Sequence, residues 1–258
     1  MPPPEASPSI RLLNLELHDH GFDELLQGLQ RGVVFTPNVD HLMQMQRDQG
    51  FWALYQQADY RLCDSRILWW ASGWVGPRRL RDQIAGSAFF PAFCQARAGQ
   101  VQVFLLGGST PDIAAEAMRR TNASSRVPVV VDAYAPPMGF ESDPAATQDI
   151  LARIRASGAT VVAVGVGAPK QERWIMAHRA ALPAVQLWFA VGKTIDFMAG
   201  SSRRAPAWMT QAGLEWAYRL LQEPRRLARR YLIEDLPFFG LLLRQKLGRY
   251  RNPWAEDQ

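Results

Sequence analysis

The chain has almost no lysine. Of its 29 basic residues only Lys170, Lys193 and Lys246 are lysine, so nearly all its positive charge is arginine, the side chain that grips phosphate oxygens through two parallel donors. Cysteine is scarce as well. Cys63 and Cys94 cannot make a disulfide scaffold, which favours a reducing compartment. The four histidines, His18, His20, His41 and His178, show no spaced ligand cluster, and no paired Asp-x-Asp carboxylates replace one, so neither a metal site nor a cofactor is expected. His18 and His20 read as loop residues. No apolar run approaches the ~20 residues that span a bilayer. Met1 to Pro8 is proline-rich and lacks the charged-then-apolar pattern of a signal peptide. The expectation is a chain that starts in the cytoplasm, without internal repeats or low-complexity tracts.

What is present is an alternation. Apolar, β-branched runs at Leu12 to Leu17, Val33 to Thr36, Tyr60 to Cys63, Val101 to Leu106, Val127 to Ala133, Thr160 to Val166 and Val185 to Val191 read as strands. Between them lie helical patterns at Phe22 to Gln30, Val39 to Gln46, Ala88 to Ala98, Pro111 to Arg120, Pro144 to Ala156 and Pro169 to Ala181. This order predicts an α/β fold with a Rossmann-like, mostly parallel sheet and helices on both faces. Ser201 to Pro206 reads as a hinge, and beyond it the pattern is helical only. The division expected is a core over 1–200 and an Arg-rich helical segment over 201–258. From Arg203 to Arg251 there are eleven Lys or Arg against four Asp or Glu, so this segment carries the chain's excess charge and is suited to phosphate.

Two strand ends open into glycines. Gly165 to Trp174 (GVGAPKQERW) and Leu105 to Pro111 (LLGGSTP) each leave an apolar run and enter a helix. Open α/β sheets bind ligands at that edge, and free amides at a helix start favour anions. Gly107, Gly108 and Ser109 could therefore hold a nucleotide-sugar diphosphate; a capped turn that binds nothing is the plainer alternative. Asp132 could meet a ribose hydroxyl or cap a loop, and Asp196 could order a nucleotide or cap the segment after Lys193. The third glycine of a dinucleotide fingerprint is missing, which leaves a nicotinamide-dependent oxidoreductase as a weak rival. Asp64 follows the Tyr60 to Cys63 run, where a carboxylate is placed for general-base work or for capping the helix that begins near Arg66. Thr36, Asn38 and Gln171 offer neutral groups that both donate and accept hydrogen bonds, as sugar hydroxyls require, though each could be a local turn or cap.

An ordered set of blocks resembles the WecG/TagA/CpsF family of bacterial glycosyltransferases: Thr36-Pro37-Asn38, Ala58-Asp59 with Cys63-Asp64-Ser65, Gly86-Ser87, Val103 to Ser109, Gly165 to Trp174, Val191-Gly192 with Asp196 to Gly200, Arg204-Ala205-Pro206, and Leu214 to Tyr231 with its arginines. Together they cover roughly residues 10 to 235. The resemblance implies an inverting transferase that moves a sugar from a nucleotide donor, expected to be a uridine diphosphate sugar, to a polyprenyl-diphosphate-linked sugar in surface polysaccharide, exopolysaccharide or teichoic acid assembly. It implies a hexosyltransferase or N-acetylhexosaminyltransferase, with Asp64 as base and Thr36, Asn38 and Gln171 in the active site. Cys63-Asp64-Ser65 stands where many members have Pro-Asp-Gly, and Gln83, Ala88 and Lys193 also depart from the pattern. These departures leave room for a donor such as a neutral hexose. A non-catalytic nucleotide-sugar or lipid-binding module is the rival from another class.

The tail completes the expectation. On one regular helix Arg225, Arg226, Arg229 and Arg230 share an arc, with Leu227, Ala228, Tyr231 and Leu232 opposite. Four like charges so placed favour an anion, such as a lipid diphosphate or an anionic bilayer. Leu236 to Leu243 (LPFFGLLL) is too short to span and suits docking at the inner face of the cytoplasmic membrane. Arg219, Arg226 and Arg229 are the expected phosphate ligands. A packed helix pair or a contact in a homo-oligomer would explain the same surface, whereas nucleic acid fits poorly because aromatic groups are not interleaved with the basic ones.

Overall fold

The computed structural model describes residues 8–202 and 205–255, apart from the side chains of Ala207 and Arg226. Along the chain the elements run β1 (Ser9–Leu12), β2 (Leu15–His18), α1 (Phe22–Gly28), β3 (Gly32–Phe35), α2 (Val39–Met45), α3 (Gln49–Gln56), β4 (Tyr60–Arg61) and α4 (Arg66–Val75). Next come α5 (Gly86–Ala96), β5 (Val103–Gly107), α6 (Pro111–Ser124), β6 (Val130–Tyr134), α7 (Pro144–Ser157), β7 (Val161–Gly165), α8 (Lys170–His178), β8 (Leu187–Ala190) and α9 (Thr194–Ala199). The C-terminal part is helical: α10 (Ala207–Gln211), α11 (Glu215–Gln222), α12 (Pro224–Arg229), a π-helical turn at Arg230–Glu234, and α13 (Pro237–Lys246). The elements group into two compact units.

The first unit comprises Asp23–Phe35 and residues 86–202. Its strands lie parallel in the order β3-β8-β7-β5-β6. Residues Val103 to Leu106, Val161 to Val164 and Leu187 to Ala190 are all buried, so both faces of the central strands are covered, which explains why these runs are apolar at every position rather than alternately. The expected α/β architecture with a mostly parallel sheet and a basic helical C-terminal segment is the one observed. Phe189 on β8 packs between Phe90 and Phe93 of α5, each ring centroid 5.2 Å away, and these large apolar faces anchor helix to sheet. Gly107 and Gly165 face each other in the β5–β7 register. A Cβ on Gly107, whose φ is +141°, would lie 2.5 Å from the carbonyl oxygen of Gly165, so the strand ends meet only because position 107 lacks a side chain.

The second unit comprises residues 8–22, Thr36–Ala85 and residues 205–255. Its core gathers Leu12, Leu15, Leu17, Phe51, Tyr55, Leu62, Leu68 and Phe238, all fully buried, and α13 packs on α2 and α4. Here the sequence reading needs three corrections. Leu12 to Leu17 is not one strand: β1 and β2 form an antiparallel hairpin in which Leu12 faces Leu15. Leu13 and Asn14 make its turn, with Leu13 at φ +54°. Because Leu12, Leu13, Leu15 and Leu17 are all buried, the apolar pattern runs straight through the turn and conceals it. The Gln245 amide holds the turn, accepting from the Leu13 N–H at 2.8 Å and donating to the Arg11 carbonyl at 2.8 Å.

His18 belongs to β2 rather than a loop, and it is buried. Desolvation, aided by the Arg61 charge, drives its pKa down to about 4. The third correction concerns the arginine arc. The α-helix ends at Arg229 and the chain widens into the π turn, so 100° per residue no longer holds across 229–230. Leu227 is buried while Leu232 is 56% exposed, and the two leucines do not share one covered face.

Candidate active site

In the second unit a cavity of about 270 Å³ is lined by residues of the α2 start, the α4 start and the helices after residue 205. Asp64 lies on its wall. Its backbone N–H donates to the Pro37 carbonyl at 3.2 Å, and its carbonyl accepts from the Gln83 amide at 2.7 Å. These bonds fix the loop between β4 and α4 and dock it on the Thr36 to Asn38 segment. The cap of α4 is Ser65, whose hydroxyl accepts from the Leu68 N–H at 3.1 Å. The capping alternative for Asp64 is therefore filled by its neighbour.

Asn38 caps α2: its side-chain oxygen accepts from the His41 N–H, and the His41 ring accepts from the Asn38 N–H in return. It also lines the cavity, so the cap and the wall are one residue. Thr36 is half-buried two positions earlier and does not reach the wall. Arg219, on α11, does. It pairs with Glu215 one turn earlier. Burial works against its charge, but the carboxylates of Glu215 and Asp64 with the Tyr231 phenol outweigh it and raise its pKa. The Asp64 charge thus helps to keep Arg219 protonated.

The other expected phosphate ligands are placed differently. Arg229 is exposed and pairs with Glu234 at 3.0 Å, and it is not on the cavity wall. The Arg226 side chain lies outside the described residues. Two arginines outside the three expected phosphate ligands do line the cavity, Arg66 and Arg230, the latter a member of the expected arginine arc. The Arg66 guanidinium stands 4.7 Å from the Trp69 ring centroid, and its buried Nε has no hydrogen-bond partner among the described residues, a donor suited to a ligand oxygen. Arg230 contacts Asp40 at 2.9 Å. Trp216 and Tyr231 meet edge to face, 6.2 Å between centroids, and with Leu232, Leu236 and Phe239 they give the cavity an apolar side. Signals for these residues were faint: Arg66 is the first residue of a helix whose start the sequence did reveal, and Arg230 was lost among four arginines.

In the first unit the ends of β5, β7 and β8 form a separate polar cluster. The Ser109 hydroxyl donates to the Asp196 carboxylate, and Asp196 is buried. Thr110 caps α6, accepting from the Ile113 N–H at 3.3 Å, which leaves Ser109 for the Asp196 bond. The side-chain carbonyl of Gln171 accepts from Gly167 N–H at 3.3 Å and Gly192 N–H at 3.0 Å, while its amide donates to Glu172 at 2.9 Å. Gln171 thus braces the loops after β7 and β8. Asp132 stands apart, opposite Phe104 in the sheet register and short of the glycine turn at 107–108. Hydrogen bonds from Arg153, and then from the Ala133 N–H, hold its pKa low against partial burial.

Residues 10–252 match the family model for the glycosyl transferase WecG/TagA/CpsF family. The chain belongs to that family. As a WecG/TagA/CpsF glycosyltransferase it must supply what sugar transfer needs: a base for an acceptor hydroxyl, cations for phosphate and neutral groups for sugar. Among the residues lining the cavity of the second unit are a carboxylate, Asp64, two guanidinium groups, Arg66 and Arg219, and a neutral amide, Asn38. The match sets aside the nicotinamide-dependent alternative. Among the described residues no helix is long and apolar enough to cross a membrane.

Proposed function

We propose that this glycosyltransferase transfers a sugar, with inversion, from a nucleotide donor, a uridine diphosphate sugar, to a polyprenyl-diphosphate-linked sugar in bacterial surface polysaccharide, exopolysaccharide or teichoic acid biosynthesis. The observation that carries this reading is the composition of one wall: the Asp64 carboxylate beside Arg219, with Arg66 near and an apolar side following. That sequence of groups suits a sugar hydroxyl, then a diphosphate, then a hydrocarbon chain. Asp64 takes the proton of the acceptor hydroxyl as that oxygen bonds to the anomeric carbon of the donor. The bond from that carbon to the donor diphosphate breaks, and the diphosphate leaves with the electron pair. Fixed guanidinium groups stabilise phosphate charge without rearranging during the reaction.

Donor binding is assigned to the first unit, where Gly107 and Gly108 leave backbone close to any ligand and Ser109 is oriented by Asp196. Gln171 acts in this reading by holding the loops at 167 and 192. Membrane association at the cytoplasmic face is supported by the C-terminal surface: Leu221, Leu232, Ile233, Leu236 and Phe239 are more than half exposed among Arg225 and Arg229. Such a mixture of apolar and basic groups suits an anionic interface.

The test is release of uridine diphosphate from a panel of its sugars, with and without a short-chain polyprenyl-diphosphate sugar. Release that depends on the acceptor supports the reading and names the donor. Tight donor binding with no acceptor-dependent release from any of them would favour a binding module.

A further inference from the structure

The cavity wall carries more carboxyl groups than guanidinium groups. Asp40, Asp64, Glu215 and Asp235 stand against Arg66, Arg219 and Arg230, four carboxyls for three guanidinium groups, before any phosphate enters. Part of that acid is gathered around Arg230. Its Nη2 lies 2.9 Å from the Asp40 carboxylate and its Nε 4.0 Å from that of Asp235. The same Asp40 oxygen accepts from the Gln44 amide at 2.6 Å. Asp235 is only 8% exposed and Asp40 only 7%, yet the Asp235 Oδ1 has no hydrogen-bond partner among the described residues. A buried carboxylate oxygen with no donor is costly, whereas the same oxygen carrying a proton is itself a donor.

We propose that Asp40 and Asp235 hold one proton between them beside Arg230, and that the Asp235 carboxyl donates this proton in a hydrogen bond to a diphosphate oxygen of the lipid acceptor. The proposal rests on the acceptor reading of this cavity given above. The charged groups facing Asp235 are Asp40 from α2, Arg47 just beyond it, and Arg230 and Glu234 from the π turn. Their balance agrees with the geometry. Burial first, then the Asp40 charge, raises the Asp235 pKa to about 7 against the pull of Arg230, and burial raises that of Asp40 too. Like charges around one cation titrate as a pair, so an incoming anion shifts the pair further toward its protonated form.

The consequence is proton uptake on binding. Titration calorimetry of the full chain with geranyl diphosphate, at pH 7.5 in buffers of different ionisation enthalpy, counts protons taken up per ligand. The native protein should take up about half a proton more than Asp235→Asn, which keeps the donor and cannot titrate. Asp40→Asn, which removes the neighbouring charge, should lower the uptake as well and serves if the first variant does not fold. Equal proton counts in native protein and variants would overturn the proposal while leaving the acceptor reading intact. No binding of geranyl diphosphate to the native chain would remove the acceptor reading, and the proposal with it.

Discussion

The two polar clusters of this glycosyltransferase are built on opposite terms. In the first unit the groups at the strand ends bond to one another and to backbone: Ser109 donates to Asp196, and one carbonyl of Gln171 serves two loop amides. Backbone does the shaping, and glycine lets it come close. In the second unit side chains carry charge that is incompletely matched, with buried Asp235 and Arg66 atoms lacking partners. A cluster bonded to its own loops preserves their shape, whereas charged groups left without partners are completed by what binds.

This contrast can be broken at each end. The largest expected effect comes from Gly107→Val, because its Cβ would collide with the Gly165 carbonyl at a φ that valine avoids. A loss of about 4 kcal/mol or more is expected, and denaturant unfolding measures it. Gln171→Leu should come next. It keeps the bulk of the side chain and strands two loop amides, at about 1–3 kcal/mol, again read by unfolding.

In the second unit the sharpening experiment is pH dependence. The folded-state pKa of Asp235, about 7, lies above the unfolded value near 3.9, so the folded state binds the proton more tightly. Its contribution is most favourable below about pH 4 and is lost as pH rises through 7. Asp235→Asn should therefore gain stability relative to the native chain between pH 4 and 8, by an amount on the order of 1–3 kcal/mol, with thermal midpoints across that range as the check. The smallest effect belongs to Arg229→Ala, because its pair with Glu234 is exposed. Stability should move by less than about 0.5 kcal/mol, and a larger shift would mean that this arginine supports the fold.

Much of the first unit was legible in the sequence because parallel strands covered on both faces are written as short apolar runs ending in glycine. Asp64 was legible for the same reason, as a carboxylate at the end of such a run. The hairpin at Leu13 and Asn14 was not, since burial on both sides of the turn erased the polar punctuation. The Asp40, Arg230 and Asp235 cluster had no local signature, because an ion pair joining α2 to the π turn depends on tertiary packing. Periodicity also failed at Arg229, where the helix changes pitch. The family blocks pointed at Gln171 without revealing how it works, as a brace that is visible only in its hydrogen bonds.

The central claim is that Asp64 is the base of the transfer. The direct measurement is turnover and donor affinity of Asp64→Asn beside the native protein, with the donor and lipid acceptor that the release panel identifies. The account predicts donor affinity within about twofold of native and turnover lower by about 10²–10⁴. Turnover retained near the native rate, with the fold intact, would contradict it.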